Sequence, residues 1–211
     1  YAHMGPANQK GAGPIDLSLP QVATAEDIAR RIAAGEWVVD LRHRRVFAGD
    51  HVKGSLSFDV HGNAVTYLGW MIDWGTPITL LGADADEVQT MQRELVRIGI
   101  DRPVAYAVGQ PSDWASSSAG QSSYRRASYS ELAAALAADP DVPMLDLRRN
   151  SEFDDGFVAG ATHVPLHELR GRIDEVVDWA GSVRDHGPVW VYCGSGFRAS
   201  AGEKVIAVAL L

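Results

Sequence analysis

A single cysteine, Cys193, occurs among the 211 residues, and its scarcity excludes any internal disulfide. A chain that dispenses with disulfides suits a reducing compartment, so a cytoplasmic location is expected. Cys193 is left with three possible roles: a buried apolar filler, a redox sensor or a nucleophile. Metal-binding spacings are also missing. No CxxC, HExxH or HxH pattern occurs and the seven histidines are scattered, so neither a metal nor another cofactor is expected. No apolar run approaches the ~18 residues a membrane span needs. A sustained block of lysine and arginine is absent too, and the formal net charge is −8. Such a chain offers no clustered basic surface to nucleic acid or an anionic membrane, and any anion site must be small and local.

What remains is ordinary for a globular protein, with 46% hydrophobic and 22% charged residues. The length suits one large domain or two of roughly 100 residues. The opening stretch YAHMGPANQKGAGP looks like a vector-derived scar and a flexible leader, taken to end near residue 18.

An internal repeat organises the rest. WVVDLRHRRVFAGDHVKGSLSF, from Trp37 to Phe58, aligns without a gap on PMLDLRRNSEFDDGFVAGATHV, from Pro143 to Val164. Asp40 meets Asp146, Arg42 meets Arg148, Phe47 meets Phe153 and Gly54 meets Gly160, always 106 positions apart. Helical spacing precedes each copy: Ile28 and Ile32 after Thr24, then Leu132 and Leu136 after Ser128, each opening on a residue suited to an N-cap. Short apolar runs after a proline follow each copy, PITLLG at 77–82 and PVWVYC at 188–193, and read as buried parallel strands. The expected fold class is therefore α/β, with two domains, each a parallel sheet flanked by helices. The Ser- and Gly-rich stretch around residue 120 places a linker at 119–127 between domains at 19–118 and 128–211.

Cys193 stands at the carboxyl end of its strand, where parallel sheets bind ligands. Gly194, Ser195, Gly196 and Phe197 follow, and their backbone N–H groups can turn inward because glycine tolerates positive φ. Those amides, the start of the next helix and the guanidinium of Arg198 all favour a thiolate there. Arg198 could also grip a planar anion with two N–H donors.

These features resemble the rhodanese family of sulfurtransferases. Cys193 to Arg198 matches the family's six-residue CxxxxR loop, and Asp146, Arg148, Phe153, Gly156, Gly160 and Ala161 resemble its second signature, with the usual GHIPGA altered to GFVAGA. The tandem arrangement resembles two-domain rhodaneses. The resemblance implies that Cys193 takes a sulfane sulfur from a small anionic donor and passes it to a thiol or cyanide. It implies loop amides from Gly194 to Phe197 around the sulfur, and Arg198 with Arg148 on the donor's anionic end. For Arg148 a plain salt bridge remains the alternative, and Asp146 is expected to support the loop or the arginine. In the first half Gly82 falls opposite Cys193 and Glu87 opposite Arg198, among Asp84 and Asp86, so that half is expected to be inert. The stretch from Gly54 to Gly82 further resembles the rhodanese region of proteins fused to a metallo-β-lactamase-fold hydrolase, which makes such a hydrolase a candidate fused or associated partner.

Two rival functions stay open at this stage. A cysteine phosphatase or arsenate reductase also pairs Cys with Arg, but its loop resembles CxxxxxR, one residue longer. A non-catalytic rhodanese-fold interaction or redox module would need no chemistry from Cys193 at all.

Overall fold

A computed structural model describes residues 15–202 together with positions 5, 6, 9 and 11. Most of the expected leader, and the last part of the expected second domain, lie outside the described residues. The last leader residues are tied down: Asp16 pairs with Arg102, and the Ser18 carbonyl accepts from Gln92 Nε2 at 3.0 Å.

In the first half the chain runs β1 (Gln21–Val22), α1 (Ala25–Ala33), β2 (Trp37–Asp40), α2 (Arg44–Gly49), β3 (His51–Val52) and β4 (Leu56–Ser57). It continues through α3 (Ala64–Met71), β5 (Ile78–Gly82), α4 (Ala85–Val96), β6 (Ala105–Val108) and α5 (Pro111–Trp114). Five strands form one parallel sheet in the order β1-β6-β5-β2-β4. The second half holds α6 (Tyr129–Ala138), β8 (Met144–Asp146), α7 (Asn150–Asp154), β9 (Thr162–His163), α8 (Ile173–Ser182) and β10 (Trp190–Tyr192). Residues 197–202 form a further helix, α9. Its sheet is also parallel, in the order β10-β8-β9. Among the described residues no helix is long and apolar enough to cross a membrane.

The repeat is visible in the register. Val39 and Asp40 pair with Leu56 and Ser57, and Leu145 and Asp146 pair with Thr162 and His163, each partner displaced by the same 106 positions. The Leu41 N–H reaches the Leu81 carbonyl at 2.8 Å, while the Leu147 N–H reaches that of Tyr192 at 3.0 Å. Gly82 and Cys193 therefore end equivalent strands. Both opening helices are closed by a capping box, Thr24 with Asp27 and Ser128 with Glu131, which satisfies N–H groups that have no partner inside the helix.

The segment expected as a linker is itself hydrogen-bonded to the first half. β7 (Gln121–Ser122) pairs antiparallel with β3, and the Tyr124 N–H donates to the Ala48 carbonyl at 2.9 Å. Backbone pairing thus holds a segment whose composition is polar and rich in small residues. The halves also share a core, in which Leu41, Phe58 and Leu68 belong to the same buried cluster as Leu147, Leu169 and Phe197. Burial of this continuous apolar surface fixes the first half against the second.

Candidate functional site

The loop after β10 lies at the seam between the halves. Cys193 is 3% exposed, whereas Gly194, Ser195 and Gly196 are exposed. Gly196 adopts φ +82°, a left-handed conformation that a side chain disfavours, and its N–H points at the sulfur with N to Sγ at 3.1 Å. The Gly196 carbonyl then accepts from the Ser200 N–H at 3.0 Å and starts α9. A Cβ on Gly194 would sit 3.3 Å from Arg198 Nη2, so glycine there leaves room for the arginine.

Arg198 grips a protein carboxylate. Its Nη1 and Nη2 donate to Glu152 Oε2 and Oε1 at 2.5 and 2.7 Å, a two-pronged pair spanning 46 residues. These bonds hold the Glu152 carboxyl well below the usual carboxylate range. The forked face that the sequence assigned to a substrate anion is used to fasten the loop to α7.

Arg148 is likewise engaged, and its counterpart explains why. Its Nε and Nη2 bond Asp146, its Nη1 bonds the Glu152 carbonyl, and Nη2 also reaches the Gly156 carbonyl at 2.9 Å. In the first half Arg42 bonds Asp40 through Nε and Nη2 and the Asp50 carbonyl at 2.9 Å, the same clip 106 residues earlier. Burial pushes the Asp40 carboxyl up while Arg42 pulls it down. A device present in both halves shapes the strand exit and the turn beyond it. Asp146 orients Arg148 through these bonds.

Three contacts on the loop went unseen in the sequence. The Tyr129 hydroxyl donates to the Cys193 carbonyl at 2.8 Å. Burial and the nearby Cys193 raise the Tyr129 pKa, so the phenol stays protonated and able to donate at neutral pH. Arg44, from the first half, donates Nε to the Ser195 carbonyl at 3.2 Å. Phe197 is buried against Tyr67, with ring centroids 5.3 Å apart, and beside Gly62. A Cβ at Gly62 would lie 2.5 Å from Phe197 Cε2, closer than any real contact. Gly62→Ala is therefore expected to displace the ring and cost about 1–3 kcal/mol by overpacking. A lower melting temperature together with slower alkylation of Cys193 would be the result; wild-type values for both would show that the ring yields freely.

The equivalent loop of the first half is closed on itself. Glu87 Oε2 accepts the Ala83 N–H at 2.7 Å and Asp84 Oδ1 accepts the Glu87 N–H at 3.0 Å. Amides that could have faced a ligand are occupied by the loop's own carboxylates. Elsewhere, Asp139, Asp141 and His186 bring potential ligand atoms within 4.8 Å of one another, a largely exposed grouping that the scattered histidines did not announce. A groove of about 510 Å³ opens between Trp70, Arg149, Asn150, Ser151 and His167. The larger groove of about 630 Å³, around Trp74 and Ile98, includes no residue of the Cys193 loop.

Residues 128–210 match the family described as the rhodanese-like domain. That part of the chain is similar to rhodanese-like domains. A 63-residue stretch is 29% identical to the uncharacterized protein YqhL of Bacillus subtilis, covering 30% of this chain and 44% of that protein. Among solved structures, the thiosulfate sulfurtransferase of Pseudomonas aeruginosa is similar over 87% of this chain and 38% of its own, at 20% identity and a TM-score of 0.40. The 3-mercaptopyruvate sulfotransferase SseA of Escherichia coli is similar over 91% and 93%, at 16% identity and a TM-score of 0.39. The chain thus spans less than half of the YqhL and Pseudomonas proteins that it matches. Within the matched residues, Cys193 to Arg198 forms the loop at the carboxyl edge of the sheet.

Proposed function

We propose that the chain is a sulfurtransferase, with the rhodanese-like domain at 128–211 as its catalytic unit, residues 19–118 as a silent copy of the same plan, and 119–127 joining them. The observation that carries this is the Gly196 N–H directed at Cys193 Sγ from an otherwise exposed loop, against a first-half loop whose amides are filled by Asp84 and Glu87. A preorganised N–H at a sulfur stabilises negative charge on it and on a second sulfur attached to it.

The chemistry runs in two steps. The Cys193 thiolate attacks the outer sulfur of thiosulfate, or of a related small anionic donor. The new S–S bond forms as the old one breaks, and its electron pair leaves with sulfite. Cyanide or a thiolate then attacks the terminal sulfur of the Cys193 persulfide, carries it away as thiocyanate or a new persulfide, and restores the thiolate. Glu152 and Arg198 hold the loop in register, Arg148 and Asp146 fix the turn beneath it, and Gly194 and Ser195 leave the mouth open.

One observation favours a second reading, a binding or redox module: Cys193 is only 3% exposed. Mass spectrometry separates the two. After incubation with thiosulfate and removal of excess reagent, Cys193 is expected to gain about 32 Da, and adding cyanide should remove it. An unmodified Cys193 with every anionic sulfur donor tried would leave the module as the better account.

A further inference from the structure

The two arginines that the second half places around the loop are committed to carboxylates and carbonyls, which leaves open what grips the anionic part of a donor. A third guanidinium is present. Arg44, at the start of α2, comes from the silent half, and the position 106 residues later is Asn150. Its Nε donates to the Ser195 carbonyl, and a Cβ built on Gly196 would lie 3.8 Å from that same Nε. Gly196, whose N–H contacts Cys193 Sγ at 3.1 Å, is thus also a neighbour of the Arg44 guanidinium.

Its remaining donors are unevenly used. Nη1 lies 3.4 Å from Asp59 Oδ2 and 3.2 Å from His43 Nε2, single contacts longer than the two-pronged pair of Arg198. Nη2 has no hydrogen-bond or ion-pair partner among the described residues. The side chain is 27% exposed, at the mouth where Gly194, Ser195 and Gly196 meet solvent. A guanidinium anchored through Nε and Nη1, with Nη2 left to donate, is preorganised for an oxyanion, because little motion is left to freeze when the anion arrives.

We propose that Arg44 binds the anionic oxygens of the sulfur donor, which makes the chemically silent half part of the substrate site. The ligand class is a small sulfur compound bearing a sulfonate-like group, held with that group toward α2 and its outer sulfur toward Cys193. This rests on the sulfur-transfer reading of Cys193. Negative charge accumulates on the departing sulfite as the S–S bond breaks, so a cation there would favour departure as well as binding.

The test uses the whole chain and two readouts. In the unreactive Cys193→Ser protein, calorimetric titration with sodium thiosulfate should show binding at least about tenfold weaker once Arg44→Gln is added, with most of it restored by Arg44→Lys. In the Cys193 protein, Arg44→Gln should slow persulfide formation from thiosulfate at least about tenfold while alkylation by uncharged iodoacetamide changes less than about threefold. Thiosulfate affinity within twofold with and without Arg44, or no binding to either protein, would overturn the proposal. So would a parallel fall in both reactions, which would make Arg44 a loop support alone. If binding depends on Arg44 but the wild type never forms a persulfide, the anion site stands and the sulfur-transfer reading falls.

Discussion

Cys193→Ser is expected to lower kcat/KM for transfer of sulfur from thiosulfate to cyanide by at least about a thousandfold, with the melting temperature shifted by no more than a few degrees. The two effects separate because serine is close to cysteine in shape. Its hydroxyl can still accept the Gly196 N–H that now lies 3.1 Å from Sγ, so the turn at Gly196 and the start of α9 keep their bonds. The carbonyl of residue 193 keeps the Tyr129 hydroxyl, and Arg198 keeps Glu152. What serine cannot do is ionise near neutral pH and hold a transferable sulfur. Steady-state assays beside thermal melts would check both halves of the claim. Activity within tenfold of wild type would remove Cys193 from the mechanism, and a collapse of the fold would mean that the sulfur is a packing element.

Much of this site was legible in the sequence because the chain prints its plan twice. The 106-residue repeat located both sheets, and the alignment of Gly82 with Cys193 agrees with the register, since both follow residues whose carbonyls take equivalent backbone bonds. The repeat also held information about the arginines. Arg148 has a counterpart, Arg42, in the half without a nucleophile, which argues for a structural clip. Arg198 has none, because Glu87 stands there, and Glu152 has none either, because Val46 does. Both members of the Glu152–Arg198 pair are thus missing from the first half, a coupled difference that links the two positions across 46 residues. Periodicity could not reveal Tyr129, Arg44 or Gly62, since each meets the loop through tertiary packing alone. The pairing of the expected linker was invisible for a related reason: Gln121 and Ser122 have no apolar pattern of their own, and they become a strand only because β3 offers an edge.

The second large effect is expected from Glu152→Gln. The side chains of Arg198 and Glu152 are 8% and 27% exposed, so the pair is only partly shielded from water. Removing one partner of a fully buried pair costs about 3–5 kcal/mol because the other charge is left behind, and the exposed edge of Glu152 reduces this to about 2 kcal/mol. For a chain of this size that corresponds to a melting temperature lower by roughly 4–8 °C. Activity should fall further than stability suggests, about 10–100-fold in kcat/KM, since an unfastened Arg198 lets the loop amides drift from the sulfur. The pH dependence distinguishes a lost ion pair from a general loosening. Arg198 depresses the Glu152 pKa in the folded state, so its stabilisation is complete above the ordinary carboxylate value of about 4.3 and fades as pH falls from there toward the lower folded value. Glutamine does not titrate. The stability gap between wild type and Glu152→Gln should therefore be constant from pH 7 to about pH 5 and narrow below about pH 4. A gap that stays constant down to pH 3 would show that the carboxylate's charge is not what fastens Arg198, and the loop's order would then rest on Phe197, Tyr129 and the first half.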